Sequence, residues 1–232
     1  MNILAFDTCY DACSVAVGRR LRSLTPTIAF VCELMTTGHA ERLVPMIETA
    51  MADAGLAFSD LNRIAVTTGP GTFTGTRIAV SAARALSLAT GAPIVPVSSL
   101  NLMAMNFAVS AGRGRKIVVA TDARRGEVYV QCFDPHTLLP TAPPNAMSTT
   151  QAAAFIGSGP VVIAGSGASA VAESLRAAGV AAEAILPDLQ PDAIDMLFVA
   201  AERAVSANVA PLYLRPPDAK PSSAPRLTGA GA

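Results

Sequence analysis

The chain has 232 residues, 51% of them apolar and 15% charged, and its 17 Lys plus Arg balance 17 Asp plus Glu to zero formal charge. That length buries a real core in one large domain or two lobes, and the charged share falls below the roughly 25% usual for soluble domains. Neutrality argues against a chain that binds nucleic acid alone, which needs a basic face; Arg19, Arg20 and Arg22, and Arg113, Arg115 and Lys116, read as solvated hairpin tips.

In chain order, Ile3–Phe6 form an apolar strand ending in Asp7-Thr8, a second strand follows at 12–17, and Thr27–Leu34 completes a meander. A helix is expected over 39–54, with Leu43, Ile47, Ala50, Met51 and Ala54 at helical spacing. Pro45 inside it should kink the first turn or delay its start. Strand 64–68, a glycine loop, helix 76–89, strand 94–97 and a helix from the N-cap Ser98 to about Val109 complete the first half. The order then begins again: strands 117–122 and 127–133 across Arg124-Arg125-Gly126, a third strand near Leu138–Leu139, helix 149–157, strand 161–164, helix 169–178, strand 184–186 and helix 192–206. Two α/β units of the order βββαβαβα are therefore expected, as lobes 1–110 and 111–215 with a cleft between them. Residues 216–232, rich in Pro, Ser, Gly and Ala, are expected to be a disordered tail.

The four cysteines lack zinc-type spacing and read as reduced, buried hydrophobes. No apolar segment reaches the roughly 18 residues of a membrane span, and the chain starts directly on a strand pattern, so a cytoplasmic protein without membrane contact is expected. The run Gly69-Pro-Gly-Thr-Phe-Thr-Gly-Thr-Arg77 joins a strand to a helix N-terminus. Gly69, Gly71 and Gly75 there suit either a tight turn or an anion cradle. The run has neither the Gly-Lys-Ser/Thr of a P-loop nor the dinucleotide glycine spacing. There is no G-x-S-x-G elbow, and His39 and His136 are the only histidines.

Asp7-Thr8, Ala12–Val17, His39–Ile47, Gly69–Arg77, Pro96–Leu100, Asp122–Tyr129 and Pro211–Arg215, in this order, resemble the TsaB family. These are dimerization subunits of the bacterial machinery that makes threonylcarbamoyladenosine in tRNA. The resemblance spans residues 1 to about 215 and implies the two-lobed fold of actin, Hsp70 and the acetate and sugar kinases (the ASKHA fold). It implies a non-catalytic scaffold that pairs with a TsaD-like transferase, is joined by a TsaE-like ATPase, and meets tRNA only through that complex. A homodimer through the helices 39–54 and 76–89 that would bind the partner is a further possibility the resemblance leaves. No metal and no cofactor are implied for the chain alone, although ATP or ADP with magnesium can sit at the joint with the partner. In kinases of this fold an Asp after the first strand faces nucleotide phosphates, which makes Asp7, Thr8, Gly69, Gly71, Thr72 and Gly75 candidate phosphate contacts; Asp7 can equally cap its own turn.

The partner surface is expected on the helices 39–54 and 76–89, through His39, Leu43, Ile47, Thr74, Arg77, Ile78, Ala79, Ala82, Ala83 and Leu86. The second helix is apolar on more than one face and rich in alanine, which lets helix axes approach closely. Two other readings stay open: a small-molecule phosphotransferase using Asp7 and the Gly69–Gly75 loop, and a peptidase acting on the partner, for which no nucleophile or metal set is evident.

Overall fold

The computed structural model describes residues 1–107 and 114–215. Its elements run β1 (Ile3–Asp7), β2 (Ala12–Arg19), β3 (Thr27–Leu34), α1 (His39–Asp53), β4 (Arg63–Thr67), α2 (Phe73–Thr90), β5 (Ile94–Val97) and α3 (Ser99–Phe107). After them come β6 (Lys116–Arg124), β7 (Glu127–Phe133), β8 (Asn145–Ser148), α4 (Thr149–Ile156), β9 (Val161–Ala164), α5 (Ala168–Ala177), β10 (Ala182–Ile185) and α6 (Ala193–Glu202). The first sheet has the order β3-β2-β1-β4-β5 and the second β8-β7-β6-β9-β10, so one topology occurs twice. In each, the first strand pairs antiparallel with its hairpin partner and parallel with the fourth. This is the two-lobed actin- and kinase-like α/β fold.

Burial on both faces explains the unbroken apolar character of β1, β4 and β9. One face of the first sheet presents Leu4, Phe6, Val15 and Val66 to Leu43, Ile47 and Ala50 of α1 and Ala79 and Ala83 of α2. Its other face presents Ile3, Ala5 and Ala16 to Met196, Leu197 and Ala200 of α6. Conversely Leu100, Met103 and Phe107 of α3 pack with Ile117, Val119 and Val162 of the second sheet. The helix that closes each half in sequence thus covers the sheet of the other half, and packing crosses the expected boundary at 110.

Several expectations need correction. The third strand of the second half is Asn145–Ser148, not a strand near Leu138–Leu139. Asp134 Oδ1 accepts from the amides of His136 and Thr137, and Leu138 has φ of 56°, so that stretch is a turn. Helix α1 starts at His39 despite Pro45, its first turn closed by Arg42 N donating to Gly38 O at 3.1 Å. Helix α2 starts earlier than residue 76, at Phe73. Helix α6 stops at Glu202, after which Ser206 bridges back to Ile94. Ser98 does cap α3, its Oγ accepting from Asn101 N at 3.4 Å. The expected end of that helix near 109 and the expected disorder of 216–232 lie outside the described residues.

Candidate functional site

Asp7 ends β1 in a fully buried position. Its Oδ1 accepts from the Cys9 amide at 3.2 Å and, in a short bond, from the Thr67 hydroxyl. Its Oδ2 is buried without a hydrogen-bond partner, as is Oγ of Ser14, its cross-strand neighbour on β2. Burial raises the carboxyl from 3.8 to about 6, against the smaller lowering pull of the Thr67 and Cys9 donors. Burial likewise pushes the Cys9 thiol well above its usual value, with the Asp7 charge adding to it.

The glycine loop is shaped by this buried turn. A Cβ at Gly71 would stand 2.6 Å from Cys9 O, and one at Gly75 would stand 1.9 Å from Thr8 O. Gly69 has φ of 101°, a conformation costly for any other residue. Thr8 Oγ1 donates to Gly75 O at 2.7 Å, and Thr72 N donates to Cys9 O at 2.8 Å. Thr72 caps α2, its Oγ1 accepting from Gly75 N at 3.1 Å. The glycines therefore let α2 lie directly on the turn after β1. Of the six candidate phosphate contacts, Gly71 and Thr72 line the cleft between the lobes. Asp7, Thr8, Gly69 and Gly75 do not, because all four are buried beneath it.

That cleft encloses about 580 Å³. Its first-lobe wall is Tyr10, Phe73 and Arg77, and its second-lobe wall is Asp122, Arg124, Arg125 and Tyr129 from the β6–β7 hairpin. Arg124 and Arg125 form the tip of that hairpin with φ of 63° and 58°. The segment 211–215 runs across the mouth. Leu212 N donates to Thr68 O at 2.7 Å, and Tyr213 OH accepts from Arg77 Nε at 2.7 Å. The Arg77 guanidinium lies 3.7 Å over the Phe73 ring, which is itself 5.4 Å from the Tyr213 ring. Arg215 then reaches the other lobe, both terminal nitrogens donating to Ala123 O at 2.9 Å and Nε lying 3.2 Å from Glu127 Oε2. Tyr10 adds a further tie, its hydroxyl 3.0 Å from Thr121 Oγ1, and burial raises its pKa.

The expected partner residues divide in two. Leu43, Ile47, Ala79 and Ala83 belong to the core beneath α1 and α2, and His39 is 8% exposed with Nε2 2.9 Å from Tyr10 O. These five are corrected to buried residues of the chain itself: its own sheet occupies the faces of the first four, and the turn between β1 and β2 holds His39. Thr74 and Arg77 are exposed, while Ile78, Ala82 and Leu86 are half-buried along the side of the core. Alanine content alone could not tell the inner row of α2 from the outer. The outer row of α2 is Ser81, Ala85 and Leu88 in line with Thr74, all four exposed, as an i, i+3, i+4 count along the helix places them. Val44 on α1 and Phe73 are exposed as well. Also unforeseen was Arg124 at the cleft, where the sequence suggested only a hairpin turn.

Among the described residues no group of three or more His, Cys, Asp or Glu side chains is placed to hold a metal ion, and no helix is long and apolar enough to cross a membrane.

The family model for TsaD, tRNA N6-adenosine threonylcarbamoyltransferase, matches residues 25–212. The tRNA threonylcarbamoyladenosine biosynthesis protein TsaB of Escherichia coli is 38% identical over 129 residues, 56% of this chain and 53% of that protein. The chain thus spans about half the length of the TsaB-named relatives it matches. An uncharacterized protein of Mycobacterium tuberculosis is 33% identical over 225 residues, covering 95% of this chain and 94% of its own. The structure of YeaZ from Pseudomonas aeruginosa superposes with a TM-score of 0.78 at 28% identity, covering 92% of this chain and 99% of that one.

Proposed function

The chain belongs to the TsaD family whose model it matches, in the TsaB (YeaZ) branch, and from that premise we propose that it is a scaffold subunit for threonylcarbamoyladenosine synthesis on tRNA. It acts by docking a TsaD-like transferase on helices α1 and α2. The transferase supplies the reacting groups, a TsaE-like ATPase joins the pair, and tRNA is held by the assembly rather than by this chain alone. ATP or ADP with magnesium is assigned to the joint between subunits, not to this chain by itself.

The observation that carries this reading is the outer row of α2. Thr74, Ser81, Ala85 and Leu88 face away from the sheet, and Leu88 is 89% exposed. Small residues flank that leucine, so a second helix can approach closely and take Leu88 as a knob. The half-buried Ile78, Ala82 and Leu86 extend the contact toward α1. A scaffold role is further supported by Asp7, whose carboxyl is enclosed and tied to the chain's own turn rather than turned to the cleft. That enclosure weighs against a phosphotransferase built on Asp7 and the Gly69–Gly75 loop.

The test is size exclusion of this chain mixed with its TsaD-like partner. The unaltered chain should co-elute with the partner, and Ala85→Glu and Leu88→Glu should each abolish co-elution while keeping the circular dichroism of the parent. Co-elution surviving both changes would place the contact elsewhere.

A further inference from the structure

The segment after α6 is fastened along the first lobe. Ser206 N donates to Ile94 O of the edge strand β5 at 2.8 Å, and Val209 is buried in the core beneath α1 and α2. Leu212 N then donates to Thr68 O, at a place so close that a Cβ on Gly69 would stand 3.2 Å from Leu212 O. Tyr213 completes the attachment through Arg77 and Phe73. Beyond it the chain leaves the first lobe, and Arg215 takes hold of the second.

What Arg215 holds is a fault in the β6–β7 ladder. Asp122 pairs with Val128 and Arg124 with Glu127, so Ala123 is left over as a bulge and its carbonyl has no place in the ladder. Both terminal nitrogens of Arg215 donate to that oxygen, and Glu127 Oε2 lies beside Nε. The Arg215 and Glu127 side chains are 22% and 39% exposed, so water replaces these partners when they part.

Helices α3 and α6 form the layer between the two sheets. Asn106 Nδ2 donates to Asp195 Oδ2 at 2.9 Å, and Arg203 Nη2 to Asn101 Oδ1 at 3.1 Å. Since α6 packs on the first sheet and α3 on the second, a small slide of one helix past the other parts the lobes without entering either core.

We propose that Arg215 is a latch on the cleft. Held on Ala123 and Glu127, it keeps the lobes closed over the space of about 580 Å³ between them, and its release lets them part by that slide. Segment 206–213 stays with the first lobe when this happens, because its fastenings there are several and Val209 is anchored in the core. The bond between the Tyr10 hydroxyl and Thr121 Oγ1, which also crosses the lobes, breaks with the opening. No residue of the outer row of α2 takes part, so the latch stands apart from docking on that helix.

Thiol modification by iodoacetamide, read by peptide mass spectrometry, detects such opening even when it is rare. Thr121→Cys places a cysteine at a position 1% exposed, facing Tyr10 across the lobes, while Cys13, fully buried in the first-lobe core, reports unfolding in the same chain. In that background Arg215→Ala should speed modification at 121 by about tenfold or more, the effect of losing charge-assisted hydrogen bonds, and leave Cys13 unchanged. Glu127→Gln, which keeps the Ala123 carbonyl for Arg215, should speed it less. Modification at 121 no faster in Arg215→Ala than in the parent would overturn the latch. So would equal acceleration at 121 and Cys13, which would make Arg215 a support of the whole fold and not of its closure.

Discussion

Asp7→Asn tests, through the pH dependence of stability, whether burial holds the Asp7 carboxyl in its protonated form. The folded carboxyl titrates at about 6 against 3.8 when unfolded, raised by burial. The folded state therefore favours the protonated form, and the favourable contribution is complete below 3.8 and is lost as pH rises through 6. A difference of about two units corresponds to roughly 3 kcal/mol at 1.36 kcal/mol per unit. Asn keeps the acceptor for Thr67 and the Cys9 amide but cannot ionise. Its new amide donor, at the position of the unpartnered Oδ2, costs about 1–3 kcal/mol at every pH. Urea unfolding of both proteins at pH 4, 5, 6, 7 and 8 reads the difference, and other titrating groups cancel between the two. The parent should lose about 2 kcal/mol relative to the variant between pH 4 and 8, because at pH 4 the unfolded carboxyl is already more than half ionised. Parallel profiles, or a parent that gains on the variant as pH rises, would refute a carboxyl held by burial and would indicate one stabilised in its charged form.

Gly75→Ala should prevent folding or lower stability by about 3 kcal/mol or more, because its Cβ meets the Thr8 carbonyl on a backbone that cannot swing aside; a melting temperature within a few degrees of the parent would contradict the packing described. Ala83→Glu should yield insoluble or unfolded chain, as it buries an unpaired carboxylate in the core, whereas Ala85→Glu should stay folded by circular dichroism. Tyr213→Phe removes the acceptor for Arg77, and together with Arg215→Ala it should release the segment across the cleft. Limited chymotrypsin digestion should then cut after position 213, an aromatic residue in the parent and in both variants, markedly faster than in the parent, with each hydrogen bond worth about 1 kcal/mol.

The repeated βββαβαβα order was legible because strand alternation, the Ser98 cap and the glycine loop are local signals. The third strand of the second half was not, since Asn145–Ser148 is short and polar while the turn at Leu138–Leu139 is apolar. Packing across halves was invisible: nothing in the local pattern of α6 says that Met196 and Leu197 meet Ile3 and Ala5. The same limit affected the site. Asp7, Thr8 and the glycines were correctly grouped, but whether they face a ligand or one another depends on the approach of α2 to the turn after β1. Ala79 and Ala83 differ from Ala82 and Ala85 only in helical phase, and composition does not carry phase. Arg77, Tyr213 and Arg215 are far apart in sequence, and their joint role at the cleft mouth emerges only when 211–215 crosses it.

Reconstituted threonylcarbamoylation of tRNA, with the TsaD-like transferase, the TsaE-like ATPase and the activated adenylate supplied, addresses the scaffold role most directly. Product should require this chain, Asp7→Asn at pH 8 should retain the rate within about twofold, a barrier change under about 0.5 kcal/mol, and Leu88→Glu should abolish product together with complex formation. Undiminished product without the chain, or loss of activity in Asp7→Asn while the complex stays assembled, would contradict it.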